Sequence, residues 1–287
     1  MPNQKNQSCN VCSSAVSEVF RGLILKRYNA AYFHCASCGL LATENPYWLS
    51  EAYSDAIGIL DTGIVARNIE ISEQLAPLLF YSFGGKATFL DAAGGYGLLT
   101  RMMRDKGLNF YWDDKYCQNL VARGFESQRA TRRFRAVTAF EVLEHLADPL
   151  AWLEQIFKEH NPDALICSTV LYEGVSPPSD WWYYAREGGQ HIAFFQSRTL
   201  VRLADRLDLV YERVCGFHVF SKRPLLRMKL YVALVKSQKP RMLKFMHRRL
   251  VSKTMPDYME LKDAEVSVTT EFEKPLAPKE PDVRVTS

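Results

Sequence analysis

Long apolar runs are missing from this sequence. Its 287 residues contain no stretch of 18 or more consecutive apolar residues, so we expect no membrane-spanning helix. The first seven residues are polar and lack the apolar segment of a secretory signal. No internal repeat is visible. The hydrophobic content of 47% suffices for one large core with appendages, and we expect a protein of the cytoplasm.

Acidic side chains are absent from one segment near the end of the chain. Residues 222–253 contain eleven Lys and Arg but no Asp or Glu, although the net charge of the whole chain is only +4. Basic amphipathic helices bind anionic membranes or nucleic-acid phosphates, and a solvated helical face is the third interpretation. Apolar residues recur here at helical intervals, at Leu226, Leu230, Leu234, Leu243, Met246 and Leu250.

Disulfides are not expected in the cytoplasm, yet four of the seven cysteines form two close pairs. The pairs have the spacing Cys-x2-Cys and comprise Cys9 with Cys12 and Cys35 with Cys38. Four thiolates on two such turns surround one zinc ion tetrahedrally. A zinc site with four protein ligands has no open position, so we expect a structural role; a redox pair is the alternative.

A glycine-rich turn follows the first apolar strand of the central region. Residues 87–90 are apolar, Asp91 ends the run, and helical spacing resumes at residue 98. Between them lie Ala93, Gly95 and Gly97, a variant of the glycine fingerprint that binds dinucleotides, with its last glycine one residue early. The pattern predicts a strand, a ligand-binding loop and a helix. A purely structural turn is the alternative.

Further strands and helices alternate after this loop. Residues 107–112 form a second candidate strand ending in Asp113 and Asp114, about 20 residues past the loop, where a ribose finds an acidic partner. We expect more strands at 134–140 and 164–170 and an antiparallel pair at 209–214 and 217–221. A strand at 125–126 leaves only a trace. Such alternation predicts a parallel sheet that binds its ligand at the carboxyl ends of the strands.

Two motifs carry a family resemblance. The run from Asp91 to Gly97 resembles motif I of the class I S-adenosylmethionine-dependent methyltransferases, D-x-G-x-G-x-G, with Ala93 in place of the first glycine. Residues 139–149, which include Glu141, Glu144 and His145, are similar to methyltransferases of small molecules, including sugar and ubiquinone-pathway enzymes. The resemblance spans residues 50–221 and implies a doubly wound, mostly parallel, seven-stranded α/β sheet with S-adenosylmethionine as cofactor.

The resemblance also implies roles for individual residues. Asp113 or Asp114 would bind the ribose of the cofactor, and Tyr53 and Arg67 would cover its methionine end. Glu141, Glu144 and His145 match a Glu-x-x-Glu-His motif that binds a divalent cation in some ubiquinone-pathway O-methyltransferases, whereas other relatives use the motif to orient loops. The implied cofactor-binding residues are Asp91, Ala93, Gly95, Gly97, Asp113, Asp114, Tyr53, Arg67 and Glu141.

A loop with four consecutive aromatic residues follows the strand at 164–170. Prolines and glycines frame residues 181–184, which suit a lid or the wall of an acceptor pocket and would stack on sugar faces. His191 follows a Gly-Gly pair and titrates near neutral pH, so it is our candidate general base. His145 and Glu144 are the other catalytic candidates. A structural hydrogen-bonding histidine is the alternative for either imidazole.

These observations predict three regions. Residues 1–45 form a zinc-binding module, residues 46–221 the methyltransferase domain, and residues 222–287 a basic helical extension with a disordered tail. We expect methyl transfer to a hydroxyl of a sugar or of a glycan or lipid-linked precursor, and contact of residues 222–253 with an anionic membrane would help the enzyme to reach a lipid-linked acceptor. Methylation of carbon stays open, since some sugar C-methyltransferases also pair a zinc module with this fold. The alternative is a zinc-containing RNA methyltransferase or binding protein, against which the missing N/D-P-P-Y/F/W motif and the acidic remainder argue.

Overall fold

The computed structural model describes residues 8–53, 58, 61–225, 241 and 243–263. Two β-sheets and the helices around them organise this part of the chain. The strands are β1 (Ser17–Ile24), β2 (Tyr28–His34), β3 (Leu41–Thr43), β4 (Thr88–Ala92), β5 (Asn109–Asp113), β6 (Phe134–Ala139), β7 (Ala164–Cys167), β8 (Ala193–Phe194), β9 (Val210–Val214) and β10 (Phe217–Ser221). The helices are α1 (Leu49–Ala52), α2 (Ile64–Phe83), α3 (Leu98–Asp105), α4 (Pro149–His160), α5 (Ser197–Arg206) and α6 (Thr254–Asp263).

The larger sheet confirms the predicted α/β class. Its strand order is β5-β4-β6-β7-β10-β9, with parallel pairing from β5 to β7 and antiparallel pairing of β10 with both β7 and β9. Adjacent residues of β4 point to opposite faces: Phe89 packs in the core with α2 and α3, and Leu90 in the core with α4 and α5. Both faces of the sheet are therefore covered by helices.

The prediction of seven strands is wrong for the described residues, because this sheet has six. Where the remaining strand was expected, Glu126 forms only an isolated parallel bridge with Trp112. The amide of Trp112 donates to the carbonyl of Phe125 at 2.8 Å. Two residues at this edge of the sheet are too few for a ladder of hydrogen bonds.

The smaller sheet joins the cysteine-containing module to the rest of the protein. β1, β2 and β3 pair antiparallel as a meander, and β3 then pairs with β8 through Leu41 with Phe194 and Ala42 with Ala193. Three strands of the predicted module thus share a sheet with a strand from the predicted catalytic domain. The boundary at residue 45 stays a prediction.

The aromatic run at 181–184 mostly forms core, so its prediction as a lid or pocket wall is wrong for two of its four residues. Tyr183 and Tyr184 are buried with Tyr32 and Phe194 under the smaller sheet. Trp182 alone in the run is largely exposed. The sequence pattern did not indicate a core because Phe20 in β1 and Tyr32 in β2, against which Tyr184 packs, are more than 150 positions away in sequence.

The C-terminal part of the described chain is helical. Residues 243–249 are helical and α6 follows. The predicted periodicity at residues 226–234 lies outside the described residues. The prediction of a disordered tail after Pro256 is wrong for residues 257–263, which belong to α6, because Asp257 anchors this helix to α3. The rest of the predicted tail, from residue 264 onward, lies outside the described residues. None of the described helices combines the length and the apolar character that crossing a bilayer requires.

A buried ion pair fixes α6 against α3. The guanidinium of Arg104 donates to both carboxylate oxygens of Asp257, at 2.6 and 2.8 Å, and both side chains are almost fully buried. The same guanidinium donates to the carbonyl of Phe110 and lies 3.5 Å from the centroid of the Phe125 ring. Arg101 adds a second, more exposed bond to Asp257 at 2.8 Å. Buried charges need such complete pairing to be tolerated.

We predict that Arg104→Ala lowers the free energy of unfolding by about 3 kcal/mol, because Asp257 would remain buried with only the more exposed Arg101 as partner. Urea unfolding followed by circular dichroism measures this change. The control is Arg21→Ala, which breaks an exposed pair with Glu18 and should cost less than about 1 kcal/mol. Equal decreases in the free energy of unfolding for the two substitutions would show that the buried ion pair does not stabilise the fold more than an exposed one.

Candidate functional site

The glycine loop joins the carboxyl end of β4 to the first turn of α3. Ala93, Gly95 and Gly97 all have positive φ, at 55°, 55° and 86°. A Cβ on Gly97 would lie 2.7 Å from Oδ1 of Asn119, whereas a Cβ on Gly95 would meet no atom within 4 Å. Gly97 is therefore required by packing, and Gly95 borders open space. A loop with one open side is what close approach of a ligand to the backbone requires.

Asp91 holds the strands around this loop together. Its buried carboxyl accepts hydrogen bonds from the hydroxyls of Thr138 in β6, at 3.0 Å, and Thr100 in α3, at 3.2 Å. Burial raises the pKa of Asp91 to about 7, although the two hydroxyls act in the opposite direction. These contacts are with protein groups, and a contact of Asp91 with a cofactor stays a prediction.

The two acidic residues at the end of β5 have different surroundings. The Asp114 carboxylate accepts from the amide of Gly95 at 2.9 Å and from the amides of Tyr116 and Cys117. No hydrogen bond from the described residues reaches the half-buried carboxyl of Asp113, whose pKa is raised by burial. Asp114 thus braces the glycine loop, and Asp113 keeps its carboxyl available.

Trp112 completes the bracing of the loop. Its indole Nε1 donates to the carbonyl of Gly95 at 2.8 Å. The tryptophan packs so tightly beneath the loop that a Cβ on Gly94 would lie 2.8 Å from its ring. Sequence reasoning missed Trp112, because a tryptophan within an apolar strand is not a motif. Thr100 and Thr138 were missed for the same reason.

A buried polar cluster lies at the carboxyl side of β6 and before β8. One potential ligand atom from each of Glu144, His145 and His191 lies within 4.8 Å of the others. The two imidazole rings meet edge to face, with centroids 4.9 Å apart. The amide of Ile192 donates to the carbonyl of Glu144 at 2.8 Å and so ties together the two segments that carry these side chains. The structure therefore assembles the three catalytic candidates.

His191 is held in one orientation by its own neighbours. Its Nδ1 lies 2.7 Å from the carbonyl of Tyr183, which can only accept a hydrogen bond, so Nδ1 carries the proton. The Tyr183 ring packs edge to face on the imidazole with centroids 4.7 Å apart. Burial lowers the pKa of His191 and favours the neutral form. The lone pair on Nε2 is then free to accept a proton.

Glu144 is the most unusual member of the cluster. It is 0% exposed, and neither carboxylate oxygen has a hydrogen-bond partner among the described residues. Burial, reinforced by the nearby Glu141, raises the pKa of Glu144 to about 8 against the opposite effect of the Tyr183 and Thr169 hydroxyls, which favours the protonated carboxyl at neutral pH. A buried, unpaired acid of this kind is more typical of a functional site than of a core.

His145 links the cluster to the glycine loop. Its Nδ1 lies 3.0 Å from the hydroxyl of Tyr53 and 3.1 Å from the carbonyl of Gln190. Burial and the neighbouring His191 lower the pKa of His145 to about 3. Tyr53 also stacks with Tyr116, which follows the loop-bracing Asp114, at a centroid distance of 6.4 Å. The predicted cofactor loop and the cluster thus belong to one contiguous site.

Glu141 and Arg67 are bound to other protein groups. Glu141 has φ of 53°, and the Ser168 hydroxyl both donates to its carboxylate at 2.5 Å and accepts from its amide. Glu141 therefore lies outside the group of potential metal ligands, in which His191 takes its place. Arg67 makes two bonds to Asp61, at 2.8 and 3.1 Å. A direct role of either residue in cofactor binding stays a prediction.

The four paired cysteines meet as their spacing predicts. Sγ of Cys9 lies 3.5 Å from Sγ of Cys38, and Sγ of Cys12 lies 3.4 Å from Sγ of Cys35. One ligand atom from each of the four lies within 4.8 Å of all the others. Two tight turns present them, closed by hydrogen bonds from Ser13 to Cys9 and from Gly39 to Cys35. Four thiols so arranged fit the tetrahedral requirement of zinc.

Three solved structures resemble the chain at low similarity. TnmH is 16% identical with a TM-score of 0.42, and the match covers 61% of this chain and 61% of TnmH. The plantazolicin methyltransferase BpumL in complex with SAH is 10% identical with a TM-score of 0.42, covering 69% and 89%. The magnesium protoporphyrin IX methyltransferase ChlM from Synechocystis is 12% identical with a TM-score of 0.35, covering 59% and 88%. The chain spans less than two thirds of the length of TnmH, and no match is found among curated proteins.

A family model described as a methyltransferase domain matches residues 66–214. This range begins in α2, ends in β9, and contains the glycine loop, both acidic residues after β5 and the whole Glu144–His145–His191 cluster. The match covers more than half of the 287 residues. The chain therefore belongs to the methyltransferase-domain family.

Proposed function

We propose that this methyltransferase transfers the methyl group of S-adenosylmethionine to a hydroxyl of a small polar acceptor, a sugar or a glycan precursor. The observation that carries the proposal is the neutral imidazole of His191, whose Nδ1 donates to the Tyr183 carbonyl and whose Nε2 has no hydrogen-bond partner among the described residues. Its neighbour His145 contacts Tyr53, which stacks on Tyr116 beside the loop-bracing Asp114. A hydroxyl acceptor needs a base of this kind.

The glycine loop and its braces are the proposed donor site. The open side of Gly95 lets the donor approach the backbone, and Asp113 offers a carboxyl to the ribose hydroxyls. Tyr53 and Arg67 would cover the methionine end, with Arg67 exchanging part of its pairing with Asp61 for the donor carboxylate. The bound donor supplies a methyl group activated on a sulfonium sulfur, ready for in-line displacement.

The residues of the cluster supply the rest of the reaction. The acceptor O–H gives its proton to Nε2 of His191 while the acceptor oxygen forms the new bond to the methyl carbon. The bound donor would supply the methyl group and keep the electron pair of its carbon–sulfur bond on sulfur, and His191 would then return its proton to solvent. Much of the acceleration comes from holding the two reactants in line.

Glu144 and His145 are proposed to hold the acceptor. A protonated carboxyl donates one hydrogen bond and accepts another, which suits a hydroxyl or carbonyl of the acceptor. The three groups are uncharged together at neutral pH, since the pKa of Glu144 is raised and those of both histidines are lowered. A neutral, hydrogen-bonding cluster favours a polar, uncharged acceptor such as a sugar.

A divalent cation on Glu141, Glu144 and His145 is the other way to activate a hydroxyl. The geometry supports this proposal less well, because the Glu141 carboxylate is bound to Ser168. A cation at the cluster would instead use Glu144, His145 and His191, and would occupy the nitrogen that otherwise takes the proton. We therefore favour His191 as a free base.

We further propose that the four cysteines hold a structural zinc ion and that the enzyme works in the cytoplasm, in contact with an anionic membrane through residues 222–253. Zinc would join the turn before β1 to the turn between β2 and β3. An RNA acceptor is the alternative, which the exposed Lys and Arg of residues 241–253 favour.

We predict that His191→Asn lowers kcat for methyl transfer at least 100-fold, because asparagine can donate to the Tyr183 carbonyl but cannot take a proton. The donor affinity should not change. The base must be neutral to take a proton, and burial lowers its pKa. The wild-type rate should therefore decrease only at pH values below 6.5, the ordinary pKa of histidine. Initial rates of S-adenosylhomocysteine release across pH measure both effects.

His247→Asn is the matched control for this experiment, as His247 is exposed and lies outside both the cluster and the donor site. It should leave kcat within twofold of wild type. An unchanged kcat in His191→Asn with saturating acceptor contradicts the assignment of the base. Loss of wild-type activity on brief chelation, restored by Mg²⁺ or Mn²⁺ with the zinc content unchanged, would instead establish a catalytic cation.

We predict one zinc ion per chain, lost in Cys9→Ser together with a clear decrease in melting temperature, because removal of one thiolate breaks the tetrahedral set. Elemental analysis and differential scanning calorimetry measure the two quantities. Cys215→Ser changes an exposed cysteine outside the set and should retain both. Purified wild-type protein that folds normally without zinc would refute the structural site.

A further inference from the structure

The last described helix, α6, exposes three large apolar side chains to solvent. On α6, Met255, Tyr258 and Met259 are 64%, 57% and 47% exposed, whereas the charged Asp257 is buried. A surface helix normally buries its apolar face and exposes its charges. Residues 255, 258 and 259 are three and four positions apart and therefore lie on one side of the helix.

The rotation of α6 is fixed by contacts on its inner side. Asp257 is clasped by Arg104 and Arg101 of α3. Leu261 packs so closely on the loop after β5 that a Cβ on Gly124 would lie 2.3 Å from its Cδ2. The outward face is therefore presented by a held helix, and turning it inward would break the buried ion pair.

The segment that precedes α6 in the chain also exposes apolar side chains and carries positive charge. Val251 is 78% exposed, and Phe245 is about half exposed with the Arg249 guanidinium over its ring at 5.2 Å. Lys244 and Arg248 are exposed as well. Residues 241–253 contain no acidic side chain, and they continue the basic segment that begins at residue 222.

We propose that this outward surface, formed by residues 245–259, docks on an anionic membrane. The apolar side chains would enter the boundary between headgroups and acyl chains, and the Lys and Arg side chains would bind lipid phosphates. A nucleic acid would match the charge but gives no reason for Met255, Tyr258 and Met259 to face outward. A second copy of the same face would bring like charges together. This inference extends the proposed membrane contact to α6, and its failure would leave the proposed methyl transfer intact.

The experiment is flotation of the full chain with vesicles of phosphatidylcholine alone or with 30% phosphatidylglycerol, a composition of about one anionic lipid in three. Wild type should bind the anionic vesicles and release them in high salt. Met255→Ser/Tyr258→Ser/Met259→Ser should weaken binding at least tenfold, because each side chain loses apolar area to bury. Arg248→Ala/Arg249→Ala should weaken it about 30-fold.

The control variant is Val201→Ser, which changes an exposed apolar residue on α5 and should bind as wild type. Donor binding and the urea midpoint should be unchanged in every variant, which separates loss of docking from loss of fold. Three outcomes overturn the proposal: no binding by wild type, undiminished binding by the triple serine variant, or a dimer that the serine substitutions dissociate. Salt-sensitive RNA binding without vesicle binding would also overturn it.

Discussion

The buried carboxyl of Asp91 is the interaction on which the site depends. By accepting from Thr100 and Thr138, it joins the end of β4 to β6 and to the first turns of α3. This fixes both ends of the glycine loop, and Asp114 and Trp112 then brace the loop at Gly95. The open side of the loop is thus formed before any ligand arrives. Pre-organised backbone of this kind lowers the cost of binding.

The cysteine module has a second, positional role in this account. β3 follows the second cysteine pair and pairs with β8, and the amide of Thr43 donates to the carbonyl of Ile192 at 2.9 Å. Ile192 directly follows His191 and donates to Glu144. The module therefore holds the segment that carries His191 against the turn that carries Glu144 and His145. A site with four protein ligands can contribute to catalysis in this way without touching the substrate.

Local patterns in the sequence predicted much of the fold and part of the site. The glycine loop, the two Cys-x2-Cys pairs and the alternating strands were recognisable because each depends on residues close together in the chain. The environment of His191 was not, because the Tyr183 carbonyl and Glu144 reach it only through the fold. The same applies to Glu141. The motif implied that its carboxylate binds a cation, but in the fold this carboxylate accepts a hydrogen bond from Ser168. The six-stranded sheet differs from the expected seven because residues 125–126 are too short to pair.

The burial of the aromatic run also depends on contacts between residues that are distant in sequence. The sequence predicted that Tyr183 and Tyr184 belong to a lid or pocket wall, because four consecutive aromatic residues show no helical or strand periodicity. Their burial depends on the smaller sheet, whose fourth strand, β8, joins the first three from across the chain. The outward face of α6 was equally hidden, because the partner of Asp257 lies some 150 positions away in α3.

The most direct test of the central claim is titration calorimetry of the purified protein with S-adenosylmethionine. Wild type should bind one equivalent. Gly95→Ala should weaken binding at least tenfold, because its methyl group would enter the open side of the loop. Gly216→Ala, at a glycine that also has positive φ and open space, should bind as wild type. Absence of binding by wild type, or equal affinity of all three proteins, would contradict the claim that this loop receives the methyl donor.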